Sequence, residues 1–275
     1  MMIVDAQVHI WAADTPERPW PPGHAHRAHR PVPFSAAELI AEMDGAGVDR
    51  AIIVPPSWEG DRNDLALAAA ARLPGRFAVM GRAPLDRRDP HALDRWRAQP
   101  GMLGIRVTIS GVGARELFTA PEGDWLWQAA ERNALPAMVS VPGMLAALYP
   151  IAERHPGMRF VIDHLALARD AKDEAAFDLP RLAALAGLPN VAAKASAVPR
   201  YSSEPYPYRR MHEPLRRVFE AFGPDRFFWG TDLTGIPCRY REAVTLFTEE
   251  LPWLAGRDLE RVMGGALCDW LGWSY

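Results

Sequence analysis

The 275-residue chain is 49% hydrophobic and 24% charged, with a formal net charge of -3, the composition of an ordinary globular protein. That faint negative balance leaves no basic footprint for nucleic acid, and no apolar run reaches the length a membrane span needs. Two isolated cysteines, Cys238 and Cys268, lack the spacing of a disulfide scaffold or a zinc knuckle.

No basic leader with an apolar core and cleavage site precedes the first strand-like residue, Ile3, so a cytoplasmic location is the default expectation. Prolines are spread along the chain and mark no linker, which predicts one domain over residues 1–275. The first strand runs over residues 3–11 and ends in Gln7-Val8-His9. A long loop rich in Pro, His and Arg follows over residues 12–33, and a loop of that length is either functional or disordered. Ser35 with Glu38 three residues on reads as a capping box, and Leu39, Ile40 and Met43 supply the apolar stripe of a helix that ends near Gly45 to Gly47.

The same alternation repeats down the chain. Strands are predicted at 50–55, 76–83, 102–109, 135–141, 158–164, 190–196 and 226–232. Helices are predicted between them at 64–73, 92–98, 125–133, 144–154 and 179–186, then from Pro214, from Tyr240 and from Leu259. Short apolar strands separated by helices imply a parallel sheet covered on both faces, and eight units in this length favour a (β/α)₈ TIM barrel. A doubly wound open sheet would give the same alternation, but the Gly-rich turn it needs after the first strand is missing.

A barrel builds its site at the C-terminal ends of its strands. Gln7 and His9 share one side of strand one, Arg106 lies on strand four, and Asp163-His164 end strand six. Lys194 and Ser196 lie on strand seven, and Thr231-Asp232 end strand eight. Each has a structural reading: Asp5 and Asp163 as acceptors of backbone amides, Arg106 and Lys194 as members of buried ion pairs. Their coincidence on one rim favours a site, because burying so many ionisable groups without use is costly.

The segments Asp5-Ala6-Gln7-Val8-His9-Ile10-Trp11, Gly104-Ile105-Arg106, Val161-Ile162-Asp163-His164-Leu165, Ala193-Lys194-Ala195-Ser196 and Phe228-Trp229-Gly230-Thr231-Asp232 together resemble the amidohydrolase superfamily. Within it they are most similar to the amidohydrolase-related branch (amidohydrolase 2), which includes 2-pyrone-4,6-dicarboxylate lactonase and sugar lactonases. The resemblance extends to Gly264-Gly265-Ala266-Leu267, similar to the family's terminal Gly-Asn-Ala with the Asn replaced. It implies an amidohydrolase-like barrel. Two departures stand out: Gln7-Val8-His9 replaces the usual His-x-His, and strand five supplies neither histidine nor lysine.

A carboxamide is a poor zinc ligand, so no cofactor is expected. The alternative is a single divalent ion, zinc or manganese, held by His9, His164 and Asp232. The resemblance implies hydrolysis of a small lactone that carries a carboxylate, with Asp232 as general base and His9, His164 and the Gln7 amide as donors to the carbonyl oxygen. Arg106 is expected to grip the carboxylate with help from Lys194 and Ser196, while Trp20, His24 and His26 cover the site. Metal-dependent decarboxylation of a small carboxylic acid and simple binding of such an acid are the alternatives. The partner is a small molecule, not nucleic acid or membrane, and assembly into a homo-oligomer is left open.

Overall fold

The eight apolar runs form eight parallel strands, each paired with the next in sequence: β1 (Val4–Val8), β2 (Arg50–Ile53), β3 (Phe77–Arg82), β4 (Met102–Thr108), β5 (Ala137–Ser140), β6 (Phe160–Ile162), β7 (Val191–Ala195) and β8 (Phe227–Trp229). They come from a computed structural model that describes residues 1–85, 88–89, 91–109 and 115–274. Between and after them run α1 (Ala36–Ala46), α2 (Asp64–Arg72), α3 (Glu116–Thr119), α4 (Asp124–Arg132), α5 (Leu145–Arg154), α6 (Leu179–Ala186), α7 (Arg209–Phe222), α8 (Tyr240–Thr248), α9 (Gly256–Glu260) and α10 (Ala266–Leu271). The result is a nearly closed (β/α)₈ TIM barrel, as the alternation predicts. Among the described residues no helix is long and apolar enough to cross a membrane.

Local chemistry explains most of these boundaries. Ser35 caps α1 reciprocally with Glu38, each accepting from the other's backbone N–H. Three expectations need correction. Residues 92–98 form turns and a 3₁₀ segment (Trp96–Ala98): Arg95 adopts φ 134°, which a helix cannot include, while the Trp96 indole is anchored on the Gly104 carbonyl at 2.9 Å. Pro214 lies inside α7, which starts at Arg209, because burial of Met211, Leu215, Val218 and Phe222 along one face outweighs the lost backbone bond. The loop at 12–33 carries a short 3₁₀ turn, Ala25–Arg27.

Inside the barrel Val4, Ala6, Ile52, Ala78, Met80, Met138, Val161, Ala192 and Phe228 pack together, and α10 adds Ala266, Leu267 and Cys268 to the same cluster. Polar side chains begin one layer above. The β1–β2 register slips by one residue between Asp5 and Val8, a bulge of the kind that re-aims side chains. Simple alternation would send Ala6 and Gln7 to opposite faces, yet Ala6 joins the interior cluster and Gln7 meets Arg106 and Lys194.

Among the described residues no ladder pairs β8 with β1, and the buried Asp5 carboxylate closes the seam instead. Its Oδ1 accepts from the backbone N–H of Gln7 (2.9 Å) and Thr231 (2.8 Å). Its Oδ2 accepts from the hydroxyls of Thr231 and Tyr240. One backbone bond, Asp232 N–H to the Gln7 carbonyl at 2.9 Å, completes the join. Burial without a cation raises the Asp5 pKa, and its four donors oppose that shift.

An amide fits this seam better than its loss of charge suggests, because both hydroxyls can rotate to accept from it. Asp5→Asn is therefore expected to cost less than about 1.5 kcal/mol, and Asp5→Ala about 3 kcal/mol or more, since it strands buried backbone donors. Urea denaturation of both variants checks this, and equal losses would contradict the seam as described.

Candidate active site

The strand ends deliver their polar groups to a mouth cavity of about 750 Å³, whose lining includes Gln7, His9, Arg106, Asp163, His164 and Asp232. His164 (φ 52°) and Asp232 (φ 59°) adopt left-handed backbone angles just past the ends of β6 and β8, and Ala197 (φ 60°) does so after β7. Such angles are uncommon outside glycine and gather where a side chain must be aimed against local preference.

At the bottom of the mouth lies a buried ionic trio. Asp163 sits 2.5 Å from both the Arg106 guanidinium and the Lys194 ammonium. Burial alone would raise the Asp163 pKa, but the two cations hold it below the ordinary carboxylate value. Lys194 is pushed down to about 8 by burial, with Asp163 opposing and Arg106 reinforcing that shift. Asp163 thus binds side-chain cations, not the backbone amides of its loop.

Both cations also cap Gln7. Its Oε1 accepts from Arg106 at 3.0 Å and from Lys194 at 2.6 Å, which fixes which end of the carboxamide is oxygen. Its Nε2 then points to the other side, donating to Asp232 Oδ1 at 3.2 Å and standing 3.3 Å from Nε2 of both His9 and His164.

Asp232 is held on one oxygen only. His9 Nε2 lies 2.9 Å from Oδ1, while His9 Nδ1 faces the Val54 carbonyl. Among the described residues Oδ2 has no hydrogen-bond partner. Burial would raise the Asp232 pKa, yet the His9 contact, joined by the His164 and His29 rings nearby, keeps this carboxyl well below its ordinary value. His164 is lowered to about 4, chiefly by burial, so its ring is neutral near pH 7, with Nδ1 2.8 Å from the Ser196 hydroxyl.

The remaining predicted residues divide. His26 lines the cavity. Lys194 and Ser196 are fully buried beneath it, one engaged by Asp163 and Gln7 and the other by His164, so neither meets a substrate in this arrangement. Trp20 and His24 lie outside the lining; His24 is fastened to the Ser57 carbonyl at 3.0 Å.

Sequence reasoning missed His29, Trp58, Arg82, Arg27, Arg169, Lys172, Arg200 and Tyr201, all on the cavity wall. They sit on strand-to-helix loops, or in Arg82 at the end of β3, where periodicity carries no signal. Among the described residues the guanidinium groups of Arg27, Arg169 and Arg200 have no ion-pair or hydrogen-bond partner. With Arg82, Arg106 and Lys172 they outnumber the two lining carboxylates, Asp163 and Asp232.

The donor set does not fit a divalent ion. Where the resemblance leads one to expect a second histidine on the first strand, this chain places the Gln7 amide nitrogen, whose two hydrogens point into the space between His9, His164 and Asp232. Turning the amide over would set its NH₂ against Arg106 and Lys194. Among the described residues no group of three His, Cys, Asp or Glu side chains is arranged to hold a metal.

The trio makes its own prediction. Asp163→Asn leaves two buried cations facing each other and is expected to cost about 3–5 kcal/mol. Lys194→Met added to Asp163→Asn should then cost less than it does alone, and a denaturant double-mutant cycle reads the difference; strict additivity would contradict the coupling.

Comparison with known proteins agrees with this fold. The chain is 28% identical over 242 residues to an L-fucono-1,5-lactonase of Burkholderia ambifaria, an alignment that covers 83% of this chain and 79% of the relative. Its fold matches a probable 2-pyrone-4,6-dicarboxylic acid hydrolase of Acinetobacter baumannii, solved with citric acid bound, with TM-score 0.79 and 18% identity over 99% of this chain and 100% of the other. It matches equally an amidohydrolase of Burkholderia multivorans solved with bound zinc, with TM-score 0.79 and 20% identity over 99% of each chain. The amidohydrolase family model (Amidohydro_2) aligns with residues 4–265, and the chain belongs to that family.

Proposed function

We propose that this amidohydrolase opens a small lactone bearing at least one carboxylate, and that it does so without a divalent ion. The observation that carries the reading is the Asp232 carboxylate, ionised and buried, with Oδ1 tied to His9 and Gln7 and Oδ2 without a partner among the described residues. A general base needs an ionised oxygen within reach of water, and this carboxylate offers one.

The reaction follows from the residues present. Water gives a proton to Asp232 Oδ2 as its oxygen bonds to the lactone carbonyl carbon. Charge grows on the carbonyl oxygen, which then competes for the Gln7 N–H that is not given to Asp232 and stands 3.3 Å from the His164 ring. Gln7 is a better donor than an ordinary amide, because Arg106 and Lys194 withdraw charge through its oxygen. Collapse breaks the ring C–O bond, and the proton held by Asp232 passes to the departing ring oxygen. The product is a hydroxy acid, and Asp232 is again ionised.

Substrate recognition falls to cations at the rim. Arg106 is already engaged by Asp163 and Gln7, so the carboxylate grip expected of it passes to Arg27, Arg169 and Arg200, whose forked donors have no partner among the described residues. This cationic excess favours a carboxylated lactone over a neutral sugar lactone. Decarboxylation of the metal-dependent kind has less support, for the reason that Gln7 turns hydrogens where a ligand is needed.

A panel that sets a pyrone dicarboxylate lactone and carboxylated aliphatic lactones against neutral sugar 1,5-lactones tests the reading. The expected result is a kcat/KM at least about 100-fold higher for a carboxylated member, with Asp232→Asn lowering kcat by about 10²–10⁴-fold. Preference for neutral lactones, or a fully active Asp232→Asn, would contradict it.

A further inference from the structure

The long loop after β1 is fastened to the barrel on both sides of the turn that reaches the mouth. Arg18 makes the first fastening. Its Nε donates to Glu59 Oε1 at 2.9 Å, and its two terminal nitrogens donate to Asp64 Oδ2 at 2.6 Å and Oδ1 at 2.9 Å. One forked guanidinium thus joins the loop to the turn after β2 and to the start of α2. Glu59 is only 3% exposed, and Arg18 is the one cation it meets among the described residues. The same Glu59 oxygen accepts from the Ala12 N–H at 3.3 Å, so residues 12–18, folded back by the bridge between Thr15 and Arg18, hang on one carboxylate.

Pro21 and His24 extend this seat. The Pro21 ring lies against Gly60, whose φ of 77° and missing Cβ permit the approach, and His24 Nδ1 is 3.0 Å from the Ser57 carbonyl. The second fastening is His29, whose Nδ1 is 2.9 Å from the Thr234 hydroxyl in the turn after β8. Between the two lies the 3₁₀ turn Ala25–Arg27, in which the Arg27 N–H donates to the His24 carbonyl at 2.9 Å, and it puts His26 and Arg27 on the cavity wall. Arg27 faces other cations there: burial lowers the Arg82 pKa, Asp61 opposes that shift, and Arg106 and Arg27 reinforce it. Three guanidinium groups gathered on one side of the mouth draw an anion to that side.

We propose that residues 12–30 form a strap across the barrel mouth, and that Arg18, clasped to Glu59 and Asp64, is a positioning residue that sets where Arg27 meets the substrate carboxylate. The inference rests on the carboxylated-lactone reading above and adds to it a residue that touches no substrate. Without Arg18, Glu59 is a buried carboxylate with no cation, and the hairpin over it must lift to let water in. A lifted hairpin carries Pro21 and His24 with it, and the Arg27 turn is built on the His24 carbonyl. His29 keeps the far end of the strap in place, so the change is a shift of Arg27 and not a loss of the loop.

Arg18→Met and Arg27→Met, single and combined, test this on the best carboxylated lactone of the panel. Arg18→Met should raise KM about 10-fold with kcat within about threefold, the effect of weakening one charge-assisted contact to the carboxylate. Arg27→Met should raise KM at least as much, and the combination should match Arg27→Met within about threefold, because Arg18 acts only through Arg27. A merely structural role for Arg18 would multiply with Arg27→Met and lower kcat as well. Arg18→Lys keeps a charge beside Glu59 without the fork on Asp64, and should fall between wild type and Arg18→Met. Hydrogen exchange of the substrate-free protein needs no turnover: Arg18→Met should speed exchange over residues 11–30 at least about 10-fold while the strands keep their protection. If no lactone in the panel is hydrolysed, the hydrolytic reading ends and exchange alone decides whether the strap hangs on Arg18. Unchanged exchange over residues 11–30, or a double variant whose KM effect is the product of the single ones, would overturn the proposal.

Discussion

Everything at the mouth of this barrel depends on one buried carboxylate between two cations. Asp163 cannot be ionised in the interior without Arg106 and Lys194, and the two cations cannot be buried without Asp163. Two positive charges against one negative leave a surplus, which falls on the carbonyl oxygen of Gln7. This explains why a carboxamide stands at the end of β1. It accepts from two cations on one side while donating to Asp232 on the other, and an imidazole, with only two ring nitrogens, cannot make all three contacts.

The second constraint is geometric. Gln7 and Asp232 come from the first and last strands, which share no ladder, so their separation depends on the seam. Asp5 holds both sides at once, through the backbone of Gln7 and through both the backbone and the hydroxyl of Thr231. The left-handed turns at His164 and Asp232 complete the aim. Strained backbone at three adjacent strand ends persists only because packing and hydrogen bonds over-determine it.

Much of this was legible in the sequence, for identifiable reasons. Alternating apolar runs and helical stripes report burial directly, so all eight strands and most helices were readable, and the Ser35–Glu38 box fixed the start of α1. Strand ends read as polar residues after apolar ones, which pointed to Gln7, His9, His164 and Asp232. The partners of those residues were not readable, because Asp163, Arg106 and Lys194 lie 31 to 88 residues apart in the chain and meet only through the barrel's closure. For the same reason the sequence did not show that Lys194 and Ser196 are buried beneath the cavity, one against Asp163 and Gln7 and the other against His164. His29 and the rim arginines went unseen because loops carry no period, and His29 is one of several histidines in a stretch where only tertiary contact with Thr234 distinguishes it.

The proposed chemistry relies on a polarised amide and a carboxylate in place of a metal Lewis acid. The most direct measurement is metal content by mass spectrometry on purified enzyme, with kcat on its best lactone before and after exhaustive chelation. The account predicts substoichiometric metal and a kcat unchanged within about twofold. A stoichiometric divalent ion whose removal abolishes turnover and whose return restores it would contradict the account.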